Sequence, residues 1–236
     1  MSLKEVLSLR LDALEAEIAA KRRIAAVLRA TLRVERPEET DLRRLWTVTT
    51  LSNTQFRALL ERFYDQAAGD VAMDETWKQQ MIEAGCPTLP DDPTPEQIDA
   101  WTELAAILSD TAYVAEMKAE MARLWTGDFD AAAYAQASDA ILARVTAAIG
   151  RGLPPTSSEG AAIARDWLDA SAKAMNRVPD PAFLRWHLDQ YRKHHGRSLR
   201  YQQLLAVLRG EAGDPAAADA WRWIHEAMTP LLAEAV

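Results

Sequence analysis

The sequence lacks most of what usually announces a chemistry. It has a single cysteine, Cys86, so no disulfide can form within the chain, which fits a reducing cytoplasm. No apolar run approaches the roughly 20 residues needed to cross a bilayer, so no membrane partner is expected. Lys4, Glu5, Arg10 and Asp12 interrupt the N-terminus, which therefore does not read as a signal peptide. Glycine is scarce, nine in 236 residues, and falls mostly where helices should stop, leaving no Gly-rich phosphate loop. There is no CxxC, no HExxH and no Glu-x-x-His. Thiolate zinc sites, zincin peptidases and di-iron bundles thus lack their ligands, and no metal or cofactor is expected. His187, His194 and His195 fall on neighbouring turns, but imidazoles without a carboxylate or thiolate on their face make a poor metal site. Cys86 follows a predicted helix C-terminus, where the negative end of the macrodipole disfavours a thiolate. It reads as a bystander. No paired catalytic constellation is present, and the chain does not read as an enzyme.

Charge and apolar spacing carry more. The net charge is −8, yet residues 1–36 hold eight Lys/Arg against five Asp/Glu, leaving an acidic body that would not attract nucleic acid unaided. Residues 3–33 contain no Gly or Pro and predict one helix about 45 Å long. Leu7, Leu11, Leu14 and Ile18 step by 4, 3 and 4, and the register continues through Lys21 and Ala25 to Leu28 and Leu32. That is the seam of a coiled coil, weakened at Lys21. A polar seam residue can fix register and strand number, so Lys21 is compatible with a specific pair. The expected partner is a second copy, in a homodimer. The alternative is an amphipathic helix packed on its own domain.

The rest predicts an all-α body. Arg33-Val34-Glu35-Arg36-Pro37 ends the first helix. Leu42, Leu45 and Trp46 form a short apolar patch at helical spacing, and Thr47-Val48-Thr49-Thr50 is a lone β-like run without a partner. Helices are expected over residues 54–68 and 74–84. Thr94-Pro95-Glu96-Gln97, a capping box, launches another that runs towards Thr126 and bends near Ser109-Asp110. Residues 130–149 follow, with Gly150 and Gly152 as stops. Pro154 to Ser158 marks a boundary, and helices are expected over 159–176, 181–195, 199–209 and 215–228, with Gly196 and Gly210 as stops and Asp180 and Asp214 as N-caps. The domains are then 1–36, a dimerisation helix; 37–152, a first helical unit; and 153–236, a second. The units share a pattern: a Trp-bearing helix (Trp101, Trp167) precedes an Asp-x-Ala-aromatic-aliphatic helix start at Asp110 and at Asp180, which suggests a tandem repeat.

Eight tryptophans are many for a chain of this size. Core filling accounts for most of them, but an aromatic-rich helical body also suits a small apolar or aromatic ligand. Trp101, Tyr113, Trp167, Phe183, His187, Tyr191, Tyr201 and Trp221 are the candidate ligand-contacting residues.

Leu3-Lys4-Glu5-Val6 before a heptad helix with Arg-rich turns resembles the dimerisation segment of MerR-family transcription regulators. There a similar segment closes the winged-helix DNA-binding domain and a long helix makes the dimer. The body resembles the TipA-like antibiotic-recognition domains, including albicidin-binding proteins. The resemblance is carried by Ala161-Ala162-Ile163-Ala164-Arg165-Asp166-Trp167-Leu168 and then Pro181-Ala182-Phe183-Leu184. It implies an effector-binding and dimerisation region that takes a bulky apolar molecule such as an antibiotic, with His187, Arg165 or Gln202 as polar anchors. DNA contact is expected only through a winged-helix domain that these residues do not include. Cys86 matches no capture motif, so covalent trapping is not implied. A drug-sequestering protein without a DNA role, or a helical adaptor, would use the same body.

Overall fold

The computed structural model of the protein describes residues 2–32, 39–125, 128–211 and 215–234. Among them every regular element is a helix, as the periodicity predicts. The first, α1 (Leu3–Leu32), ends one residue short of its predicted limit, and Arg33 to Pro37 lie outside the described residues. The lone β-like run belongs to α2 (Glu39–Thr50). There the hydroxyls of Thr49 and Thr50 donate to the Trp46 carbonyl at 2.8 and 2.7 Å, so both Thr hydroxyls are satisfied inside the helix.

The next four helices are α3 (Asn53–Ala68), α4 (Glu75–Gly85), α5 (Pro95–Ser109) and α6 (Thr111–Leu124). Thr94 and Gln97 make the reciprocal capping box that opens α5. At Asp110 the backbone is extended, and its side chain accepts the Ala112 N–H at 2.9 Å, so the expected bend is a break with a new cap. Thr126 and Gly127 lie outside the described residues.

Asp130 caps α7 (Ala131–Gly150) and Ser157 caps α8 (Ser158–Ala174). Asp180 accepts the Phe183 N–H at 2.8 Å and opens α9. This helix runs unbroken from Pro181 to Arg209, which corrects the expected stop at Gly196. A helical glycine costs only about 1 kcal/mol relative to alanine, and packing on both sides of Gly196 exceeds that cost. Leu184 and Leu188 are buried before it, and Leu204, Leu205 and Leu208 after it. The true stop is Gly210, whose φ of +68° ends the helix in the left-handed region. Then come α10 (Pro215–Met228) and α11 (Leu231–Glu234); Asp214 lies outside the described residues.

Contacts divide the chain into two compact units that do not follow chain order. One comprises Met1–Gln66, Ile82–Val114 and Leu204–Ala212; the other Ala67–Met81, Ala115–Gln203 and Gly213–Val236. The division at 36 and 152 read from the sequence is sequential, whereas these units are interleaved. In the first, α1 packs on α2 and α5, and α2 on α5. Trp101 is fully buried there, 4.4 Å from Phe56, with its indole donating to the Leu51 carbonyl at 3.3 Å. The Gln97 amide donates to the carbonyls of Val207 and Leu208 at 3.4 and 3.3 Å in the last turn of α9, where Val207 also accepts the Gly210 N–H at 3.1 Å.

In the second unit α7, α8 and α10 pack on one another. Ile141, Val145, Trp167, Leu188 and Ile224 share their core with the first turns of α9. Gly160 is required at the start of α8. A Cβ there would lie 2.2 Å from the Pro155 carbonyl oxygen, so only glycine lets the Pro154-Pro155 loop close against the helix.

Candidate functional site

Two features stand out, an exposed apolar seam on α1 and a string of aromatic rings in the second unit. On α1, Arg23, Ala26 and Val27 are buried. Taking about 100° per residue, they share one side of the helix, and Lys21, Ala25, Leu28 and Leu32 lie roughly 180° away. The body-facing side and the heptad seam are thus opposite faces. The seam is open: Leu7, Leu11, Leu14, Ile18, Leu28 and Leu32 are between 41% and 83% exposed. From Ser2 to Ile18 each side chain whose exposure is described is exposed. The Lys21 ammonium sits 2.6 Å from Glu17, one turn back.

The aromatic string runs through the second unit by successive ring contacts. Trp77 meets Trp125 at 5.4 Å, Trp125 meets Phe129 at 4.9 Å, Phe129 meets Tyr134 at 5.6 Å, and Tyr134 meets Trp167 at 5.5 Å. All four contacts are edge-to-face or tilted, the arrangement ring quadrupoles favour. Trp167 then touches both Trp221 and His187 at 5.5 Å. His187 is wedged against Phe183 at 4.7 Å and Trp186 at 4.9 Å, and the Arg177 guanidinium lies over the Phe183 and Trp186 rings. Beside this string is a second stack, with Tyr191 between His195 at 4.3 Å and His225 at 4.2 Å.

Electrostatics keep the string neutral. Burial, reinforced by the Arg177 charge, pushes the His187 pKa down to about 3. Its Nε2 lies 3.0 Å from Ser171 Oγ, whose hydroxyl faces the Leu168 carbonyl at 3.2 Å. With the hydroxyl donating to that carbonyl, Nε2–H donates to Oγ. Burial likewise pushes the Tyr134 phenol up to about 12. Around α6 and α9 the charges are paired. Burial raises the Glu120 pKa, but the salt bridge from Lys193 and the charge of Arg123 outweigh it and leave the carboxyl below its usual range. Arg197, at 3.0 Å, does the same for Glu116.

The predicted ligand residues divide between the units. Trp167, Phe183, His187 and Trp221 come together in one cluster, with Tyr191 in the neighbouring stack. Tyr201 also belongs to the second unit and is half-buried. Trp101 and Tyr113 belong to the first unit, the latter stacked on Phe63 at 5.3 Å. His187 is committed to Ser171, and Arg165 and Gln202 are exposed. Trp77, Phe129 and Tyr134 were missed as a group. Each stands alone in sequence, and no periodicity links Trp77 on α4 to a loop residue, Phe129. Burial pushes the Cys86 thiol pKa up, and among the described residues no group of three or more His, Cys, Asp or Glu is placed to hold a metal. No described helix is long and apolar enough to cross a membrane. Comparison with protein-family models, with characterised proteins and with solved structures finds no match for this chain.

Proposed function

We propose that this chain is the ligand-sensing and dimerisation region of a MerR-like transcriptional regulator, with a bulky apolar or aromatic small molecule as its effector. The observation that carries the reading is the placement of the α1 seam. A helix whose apolar stripe points away from its own domain loses the burial that normally holds a helix in water. A second α1 supplies that burial. The buried Arg23 face holds the same helix against its own unit, where α1 packs on α2 and α5. The aromatic string supports the effector half of the reading. Its rings offer large apolar area and few charges, as small-molecule sites do. Operator contact would be made by a winged-helix segment outside these residues, and the dimer helix distinguishes this reading from simple drug sequestration.

Sedimentation velocity on the full chain tests the dimer, and tryptophan fluorescence with a panel of large aromatic natural products tests the effector. The expected results are a dimer at micromolar concentration and saturable quenching by at least one compound. A folded monomer with helical content unchanged on dilution would sink the first half. Absence of quenching and of any thermal shift across the panel would sink the second.

A further inference from the structure

One polar atom in the aromatic string stands out. Trp125 is 9% exposed, and its Nε1 is buried with no hydrogen-bond partner among the described residues. Two other buried indoles are paired: Trp101 donates to the Leu51 carbonyl at 3.3 Å and Trp223 to the Leu153 carbonyl at 3.0 Å. Buried donors are nearly always paired, because an unpaired one forfeits its bonds to water without replacing them. Apolar side chains packed about Trp125 include Met121, Met117, Met73, Trp77 and Phe129.

The same lining suits an aromatic guest. Trp77 and Phe129 present ring surface edge-on to Trp125. Met73, Met117, Trp77 and Phe129 are only half-buried. Methionine changes rotamer at low cost and contacts aromatic rings favourably, so a flat molecule can enter by displacing thioethers without unfolding a helix. Once inside, it meets the Trp125 N–H.

We infer that the Trp125 indole is the hydrogen-bond anchor of a binding site for a planar aromatic molecule carrying a carbonyl acceptor. The inference rests on the ligand-sensing reading above and adds to it a place and a chemistry. It locates recognition at the α6 end of the string, among residues outside the set predicted from sequence. It also selects for ligands by an acceptor, since apolar surface alone does not discriminate among aromatic compounds.

Fluorenone and fluorene share one planar tricyclic frame, and only fluorenone has the carbonyl, so the pair isolates the bond. Both are titrated into the full chain labelled with nitrogen-15, following the indole N–H resonances, with that of Trp125 assigned through its proximity to Phe129. Fluorenone should move the Trp125 indole proton downfield and bind about tenfold more tightly than fluorene, the size of one hydrogen bond. In Trp125→Phe, which keeps an aromatic ring but no donor, the two should bind equally. Equal binding of the two by the wild-type chain, an unmoved Trp125 resonance, or binding of neither would overturn the inference. The wild-type comparison needs no variant, so a folding defect in Trp125→Phe leaves the test intact. If a larger aromatic compound from the panel binds wild type and Trp125→Phe alike, the sensing reading stands and only the anchor falls.

Discussion

Lowering the pH from neutral should destabilise this protein, and His187 should be the main cause. Its imidazole is 7% exposed, surrounded by the rings of Trp167, Phe183 and Trp186, and held near a pKa of about 3 in the folded state. Unfolding releases it to its ordinary value of 6.5. Between those values the unfolded chain binds a proton that the folded chain refuses, so stability falls as pH falls. Well above 6.5 the contribution is complete. Below it, the loss approaches about 1.4 kcal/mol per pH unit and comes to roughly 2–3 kcal/mol at pH 4.5. His194 and His225 are also shifted downward, chiefly by burial, and add a smaller slope of the same sign. Glu116 and Glu120, held below the usual carboxylate range, contribute only near and below 4.5. The assay is urea unfolding followed by circular dichroism at fixed protein concentration, from pH 7 to pH 4.5, on wild type and His187→Gln. Glutamine stays neutral and retains an N–H for Ser171. The wild type should lose roughly 2–3 kcal/mol more than the variant over this range. Parallel pH profiles for the two proteins would refute the reasoning.

Two further outcomes follow from the same geometry. Leu14→Lys changes a seam residue that is 51% exposed in the protomer; it should leave the body folded and weaken self-association at least about a hundredfold, because each dimer loses two buried leucines. Light scattering across a dilution series reads this, and an undiminished dimer would remove the seam from the interface. Gly160→Ala should destabilise the chain by about 1–3 kcal/mol, since the new Cβ would fall 2.2 Å from the rigid Pro155 carbonyl. Thermal unfolding checks it, and a melting temperature equal to wild type would mean that the loop yields freely.

Much of the fold was legible because its signals are local. Thr94, Asp110, Asp130, Ser157 and Asp180 each bond a backbone N–H within three residues, so a cap can be read from a short window. The same holds for the seam of α1, whose spacing needs nothing beyond the helical repeat. Gly196 was misread for the opposite reason. Its helix persists because distant partners hold it: Arg197 reaches Glu116 at 3.0 Å, and Leu204 and Leu205 are buried. Thr47 to Thr50 differ, since their β preference yields to local hydrogen bonds within α2.

By itself, then, the sequence determined the all-helical class, most helix limits and the apolar face of α1. Those depend on periodicity and on groups a few residues apart. Tertiary structure alone decided that the seam lies opposite the buried Arg23 face and that the chain forms two interleaved units. It alone brought Trp77, Trp125, Phe129, Tyr134 and Trp167 into one string. Ring contacts and the pairing of a buried indole N–H depend on residues up to seventy positions apart in the chain, and no local pattern encodes them. Hence eight tryptophans could be counted from the start, but only the packed chain shows that the Trp125 indole is buried without a partner among the described residues.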